Sequence, residues 1–145
     1  MSGVVVGIDG SRNASHALEW AMTEAAIRKA PLTVITVNQV SASYWTGNPI
    51  TLPSDQERVA EARKAAEAAV AETASRLGSE QPASVTVVAV NGFAVQELVN
   101  ASENCDLLVV GTRGGGGFAP LRLGSVSSQV VHHAKCPVVV VPAGE

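Results

Sequence analysis

The chain has 145 residues, 46% of them hydrophobic and 16% charged, with a formal net charge of −3. A chain of this length buries roughly 70% of its extended surface on folding, so one domain over residues 1–145 is expected to fold without metals or disulfides, and no tract is polar enough for disorder. No apolar run approaches the roughly 18 residues of a bilayer span and no basic leader precedes Val4, so a cytoplasmic location without membrane attachment is expected.

The first β-branched run is Val4–Ile8, nearly all apolar. Ala14, Ala17, Leu18, Ala21, Met22, Ala25 and Ala26 then fall three and four apart, which lays an apolar stripe on a helix that must end before Pro31. A second run covers residues 32–37. The segment 39–53 holds Ser41, Ser43, Gly47, Asn48 and two prolines, and reads as a long loop. Ser54 with Glu57 three residues later has capping-box spacing and opens a helix that continues to Gly78, with Val59, Ala62, Ala66, Ala69, Val70, Thr73 and Leu77 on its apolar stripe. Further runs at 85–90, 107–110 and Val138–Val141 alternate with short helices near 95–102 and 126–133. Runs that are apolar throughout, rather than alternating, predict strands covered on both faces, and helical connections predict parallel pairing. The reading is a doubly wound α/β domain with a five-stranded parallel sheet, whose binding crevice lies beyond the carboxyl ends of the strands.

The fourth run leads directly into Gly111, Thr112, Arg113, four consecutive glycines from Gly114 to Gly117, and then Gly124 and Ser125 at the start of the last helix. Glycine accepts positive φ and removes side chains that would hold a ligand off, so successive N–H groups can converge on one anion. The first turn of the following helix adds unpaired N–H donors and the positive end of its dipole. Charge agrees: residues 107–145 carry three basic residues against one acid, while the first 106 carry seven against twelve. A locally positive end on an acidic chain suits a phosphorylated small molecule and argues against nucleic acid.

Other glycine motifs fail. There is no Gly-Lys pair for a P-loop, and no acid about 20 residues beyond a forced GxGxxA at Gly114, Gly116 and Ala119. A receiver domain wants several acids after the first strand, where only Asp9 stands, and 3% aromatic content argues against a flavin. Cys105 and Cys136 are too few and too widely spaced for a disulfide scaffold or a CxxC metal site, and are expected to be two buried thiols.

The spacing of Gly111, Gly114, Gly124 and Ser125 reproduces the G-2x-G-9x-G(S/T) signature of the universal stress protein family, which the chain resembles from end to end. The opening 6–11, the approach 105–111 and the closing 136–142 are similar as well. The resemblance implies a Rossmann-like fold of the adenine nucleotide alpha hydrolase-like kind, strand order 3-2-1-4-5, and an ATP site. Gly111 is then placed near the ribose, the amides around Gly114, Gly124, Ser125 and Val126 on the phosphates, and the Val37 backbone on the adenine edge. Asp9 reaches the ribose or a divalent ion, Mg or Mn, held by the phosphates, and Gly10, Ser11 and Arg113 complete the site. AMP or cyclic AMP is the alternative ligand within the family, and a homodimer through the Val138–Val141 edge strand is implied. Gly115, Gly116 and Gly117 depart toward a more pliable loop, and Ala94 replaces a common proline with no expected bearing on the ligand.

Plainer readings stand beside these. Asp9 is equally a cap for the first helix, in competition with Ser11 and Asn13, and Ser125 caps the last helix with or without a phosphate. Arg113 and Arg122 read as well as solvated charges. His16, His132 and His133 read as structural, and Trp20 and Phe93 as core or helix-face residues. Tyr44 and Trp45 are candidates to cover a base. With no paired carboxylates, metal cluster or nucleophile with a base, the sequence favours a nucleotide-binding regulator over a slow ATP-hydrolysing enzyme or a scaffold with an empty pocket.

Overall fold

A computed structural model describes residues 3–9, 14–112 and 124–142. Gly10, Ser11, Asn13, Arg113, Gly114, glycines 115–117 and Arg122, all given roles above, lie outside the described residues. The strands are β1 (Val4–Ile8), β2 (Pro31–Gln39), β3 (Ser41–Ala42), β4 (Pro49–Ile50), β5 (Ser84–Gly92), β6 (Leu107–Gly111) and β7 (Val138–Val141). The helices are α1 (Ala14–Arg28), α2 (Pro53–Leu77), α3 (Ala94–Ser102) and α4 (Ser125–His133). Five strands pair in parallel in the order β5-β2-β1-β6-β7, which counted without the two-residue strands is the expected 3-2-1-4-5. The sheet is doubly wound, with α1 and α2 on one face and α3 and α4 on the other.

Alternation along the strands feeds two cores. Val4, Val6, Leu32, Val34, Leu107 and Val109 pack with Ala17, Leu18, Ala21, Met22 and Ala25 of α1 and Ala66 of α2. Val5, Ile35, Leu108 and Val110 pack with Leu98 of α3 and Val130 of α4. Coverage of both faces holds for β1 and β6 at the centre. It fails at the edges, where β5 and β7 are only half-buried because a neighbour and the full width of a helix layer are missing on one side. α1 stops where Lys29 takes a left-handed φ of 55° and the Ala30 N–H returns to the Ala25 carbonyl at 2.9 Å, with Pro31 starting β2 at once.

Two local expectations are corrected. The α2 cap is not made by Ser54 and Glu57: the helix starts at Pro53 with Leu52 as the cap residue, and Asp55 Oδ2 accepts the Leu52 N–H at 2.8 Å. Proline fits the first helical position because its missing N–H has no partner there anyway. The loop over 39–53 carries a small hairpin, β3 against β4, closed by the Ser43 N–H on the Asn48 carbonyl at 2.6 Å and by Gly47 at φ 74°. Among the described residues no helix is long and apolar enough to cross a membrane.

Candidate functional site

β1 pairs with β2 only as far as Ile8 opposite Thr36, whereas β2 runs on to Gln39 with β5 as its partner. This leaves a notch at the carboxyl end of β1, with strand backbone of β2 on one side and β6 on the other. Over the notch opens a crevice of about 780 Å³, including its mouth, lined by Gly7, Ile8, Asp9, Ile35, Val37, Ala94, Leu98, Val110, Gly111, Thr112 and residues 124–127. Its walls are mostly apolar, as those of ligand pockets are.

The α4 edge of the crevice is built from main chain. Thr112, buried just past β6, donates its N–H to the Val141 carbonyl at 3.0 Å, and its carbonyl accepts the Gly124 N–H at 2.6 Å and the Ser127 hydroxyl at 2.9 Å. The two ends of the glycine-bearing segment are thereby pinned to each other and to the edge strand. Gly124, with extended φ −71° and ψ 171°, is the cap residue of α4, so Ser125 is its first helical residue and not its cap. The first intrahelical bond is Ser128 N–H to Gly124, so the N–H groups of Ser125, Val126 and Ser127 have no carbonyl to reach within the helix and lie at the crevice with the positive end of the helix dipole.

On the α3 wall, Gly7 permits close approach: a Cβ there would lie 2.8 Å from Leu98 Cδ2, so a side chain would have to displace the Leu98 side chain. The first turn of α3 is held from across the chain, the Gln39 side-chain oxygen accepting the Ala94 N–H at 3.2 Å. Deeper along the same sheet edge, Asn38 donates to Asp55 at 2.9 Å and to Asn91, its register partner, at 2.8 Å. Asp55 is only 5% exposed, and the Leu52 N–H, then Asn38, hold its carboxyl below the usual carboxylate range of 3.8 against the opposing effect of burial.

Of the residues singled out from sequence, Asp9, Val37, Gly111, Gly124, Ser125 and Val126 come together at this crevice. Asp9 is exposed at its rim and also borders a second hollow between α1 and α2, floored largely by α2 alanines. Tyr44 and Trp45 do not cover it: they are 92% and 89% exposed at the hairpin tip, edge to face at 5.7 Å. His132 and His133 lie exposed at the far end of α4, and Trp20 sits on the surface of α1. The sequence reading missed Gly7, Ile35, Leu98 and Ser127, and took Ala94 to be remote from the ligand although it lines the crevice. A glycine inside a β-branched run was the one signal for Gly7. The rest depend on which strand neighbours which helix.

An open parallel sheet with helices on both faces and a helix terminus at its carboxyl edge places the chain among the doubly wound α/β proteins, a class in which crevices open at the carboxyl ends of the strands. Residues 1–142 match the universal stress protein family, and the chain belongs to that family. It is 35% identical over 139 residues to a universal stress protein of Mycobacterium tuberculosis, a match covering 96% of this chain and 47% of the relative, so the chain spans about half the length of the curated relatives it matches. Among solved structures it is similar to the universal stress protein UspA from Lactobacillus plantarum, at 26% identity and TM-score 0.67 with 97% of each chain covered. A universal stress protein in complex with cAMP is 29% identical at TM-score 0.65, with 97% of this chain and 95% of that chain covered.

Proposed function

We propose that the chain binds an adenine nucleotide, ATP or a relative such as AMP or cyclic AMP, in the crevice at the carboxyl ends of β1, β2 and β6, and acts as a nucleotide-responsive regulatory module. The observation that carries this reading is the α4 terminus: three main-chain N–H donors and the helix dipole open on a crevice whose apolar walls suit a base. Among the described lining residues Asp9 is the one ionisable side chain, so what these residues offer an anion is backbone dipoles. A carboxylate near phosphates is repulsive unless it accepts ribose hydroxyls or shares a cation with them, which gives Asp9 its two candidate roles. Among the described residues no three His, Cys, Asp or Glu side chains gather, so a divalent ion would meet this chain through the phosphates and Asp9.

Cyclic AMP is favoured as a second form of ligand by the 29%-identical neighbour solved with it. A homodimer through β7 fits the position of that strand at the sheet edge, where its half-buried valines leave pairing groups open. Sedimentation of a monomer at micromolar concentration would refute the dimer. For the ligand, calorimetric titration of the full chain with ATP, AMP and cyclic AMP is the test, with Gly124→Val as control. Saturable heat with at least one adenylate, weakened more than tenfold in Gly124→Val, is the expected result, and no heat with any of the three overturns the reading.

A further inference from the structure

Cys105 and Cys136 lie far from the crevice. Cys105 precedes β6 and Cys136 precedes β7, so both sit at the amino edge of the sheet. Parallel pairing of Leu108 with Val138 draws the two connections together, and the sulfurs stand 3.6 Å apart, both free and half-buried. A disulfide needs about 2.05 Å, so roughly 1.5 Å remains to close, a distance within reach of side-chain rotation.

We infer that this pair is a redox modification site, in which a hydroperoxide converts two contacting thiols into an intramolecular Cys105–Cys136 disulfide that a dithiol reverses. In the first step the Cys136 sulfur attacks the peroxide oxygen. An S–O bond forms, the O–O bond breaks, and the leaving oxygen departs with the thiol proton as water or an alcohol. In the second step the Cys105 sulfur attacks the Cys136 sulfenic acid. The S–S bond forms, the S–O bond breaks, and the hydroxyl leaves as water with the Cys105 proton. The two sulfurs together lose two electrons and the peroxide gains them. Contact geometry makes the second step intramolecular, so it outruns further oxidation of the sulfenic acid. Burial, and then the hydrogen bond with Cys136, push the Cys105 pKa up to about 12, so this sulfur is held as a thiol at neutral pH and the reaction is slow without excess oxidant.

The bond would close a ring running through β6, the glycine-bearing segment and α4, the unit that carries the Gly111, Gly114 and Gly124 signature. Cross-linking a loop of that size restricts the unfolded chain and raises Tm by roughly 10 °C.

The test uses the full chain, reduced with dithiothreitol, desalted, treated with a small excess of hydrogen peroxide, and quenched with N-ethylmaleimide. Expected are a mass loss of about 2 Da, no maleimide added, a tryptic linkage between the Cys105 and Cys136 peptides within one chain, and a Tm rise of about 10 °C, all reversed by dithiothreitol. Cys136→Ser should show neither the mass loss nor the Tm rise. Two maleimides on the peroxide-treated chain, oxygen adducts of about 16 or 32 Da without linkage, or a bond between chains would overturn the proposal. Peptide mapping of the unsubstituted protein decides the matter even if Cys136→Ser folds poorly.

Discussion

The two faces of the sheet are covered unequally. On one, α1 and α2 run 15 and 25 residues; on the other, α3 and α4 have nine each. A nine-residue helix spans about 14 Å, roughly half the length of the nine-residue strands β2 and β5. On the long-helix face the alanines of α1 let that helix settle on Val6, Val34 and Val109, and a hollow bordered by Asp9 remains between α1 and α2. On the short-helix face the first turns of α3 and α4 start at the carboxyl edge of the sheet, and the gap between them over the ends of β1, β2 and β6 is the crevice. The contrast teaches that the larger buried core lies under the long helices, while the gap between two helix starts on the other face forms the site.

That contrast can be broken by substitution, and the effects should fall in a definite order. Leu18→Ala, on the long-helix face, removes a fully buried side chain and should cost about 3 kcal/mol, read as a lower urea midpoint, with adenylate affinity of the folded protein unchanged. If affinity fell in step with stability, the two faces would not be separable. Gly7→Val forces a side chain against Leu98, which lines the crevice, and should cost about 2 kcal/mol while also moving the Leu98 side chain, so stability and binding fall together. Unchanged binding in this variant would remove α3 from the site. Ser127→Ala loses the hydroxyl bond to the Thr112 carbonyl and should cost about 1 kcal/mol, with binding weaker by a factor of roughly five as the α4 terminus loosens.

The smallest effect concerns pH. Because the folded state holds the Asp55 carboxyl below its ordinary value of 3.8, the stabilisation it brings is complete above that value and is lost as pH falls through the lower folded value. Asp55→Asn should therefore be less stable than the parent at neutral pH and converge with it in acid melts below about pH 4. Parallel acid limbs for the two proteins would show that the Leu52 and Asn38 hydrogen bonds do not hold this charge.

Much of the fold was legible. Val4–Ile8 and Val138–Val141 were bounded by their runs of valine, and α1 by its three-and-four spacing and Pro31. Six of the named site residues meet at the crevice: Gly111 and Gly124 were marked as glycines after a strand and before a helix, while Asp9 and Val37 were named only through the family resemblance. Illegible were contacts between residues far apart in sequence. Asp55 displaced Ser54 and Glu57 as the capping group because Asn38, 17 residues earlier, also anchors it. The cysteines, read as two separate buried thiols, are neighbours and only half-buried, since a separation of 31 residues says nothing until β6 and β7 pair.

Local chemistry, then, was determined by the amino-acid order alone: β-branched residues stiffen into strands, alanine stripes roll into helices, and glycines punctuate the turn into α4, all within a few residues of each other. Tertiary structure decided what stands next to what. Strand register brought Asp9, Val37, Gly111 and Gly124 to one mouth and Cys105 to Cys136, because parallel pairing places residues side by side according to hydrogen-bond geometry and not according to their distance along the chain.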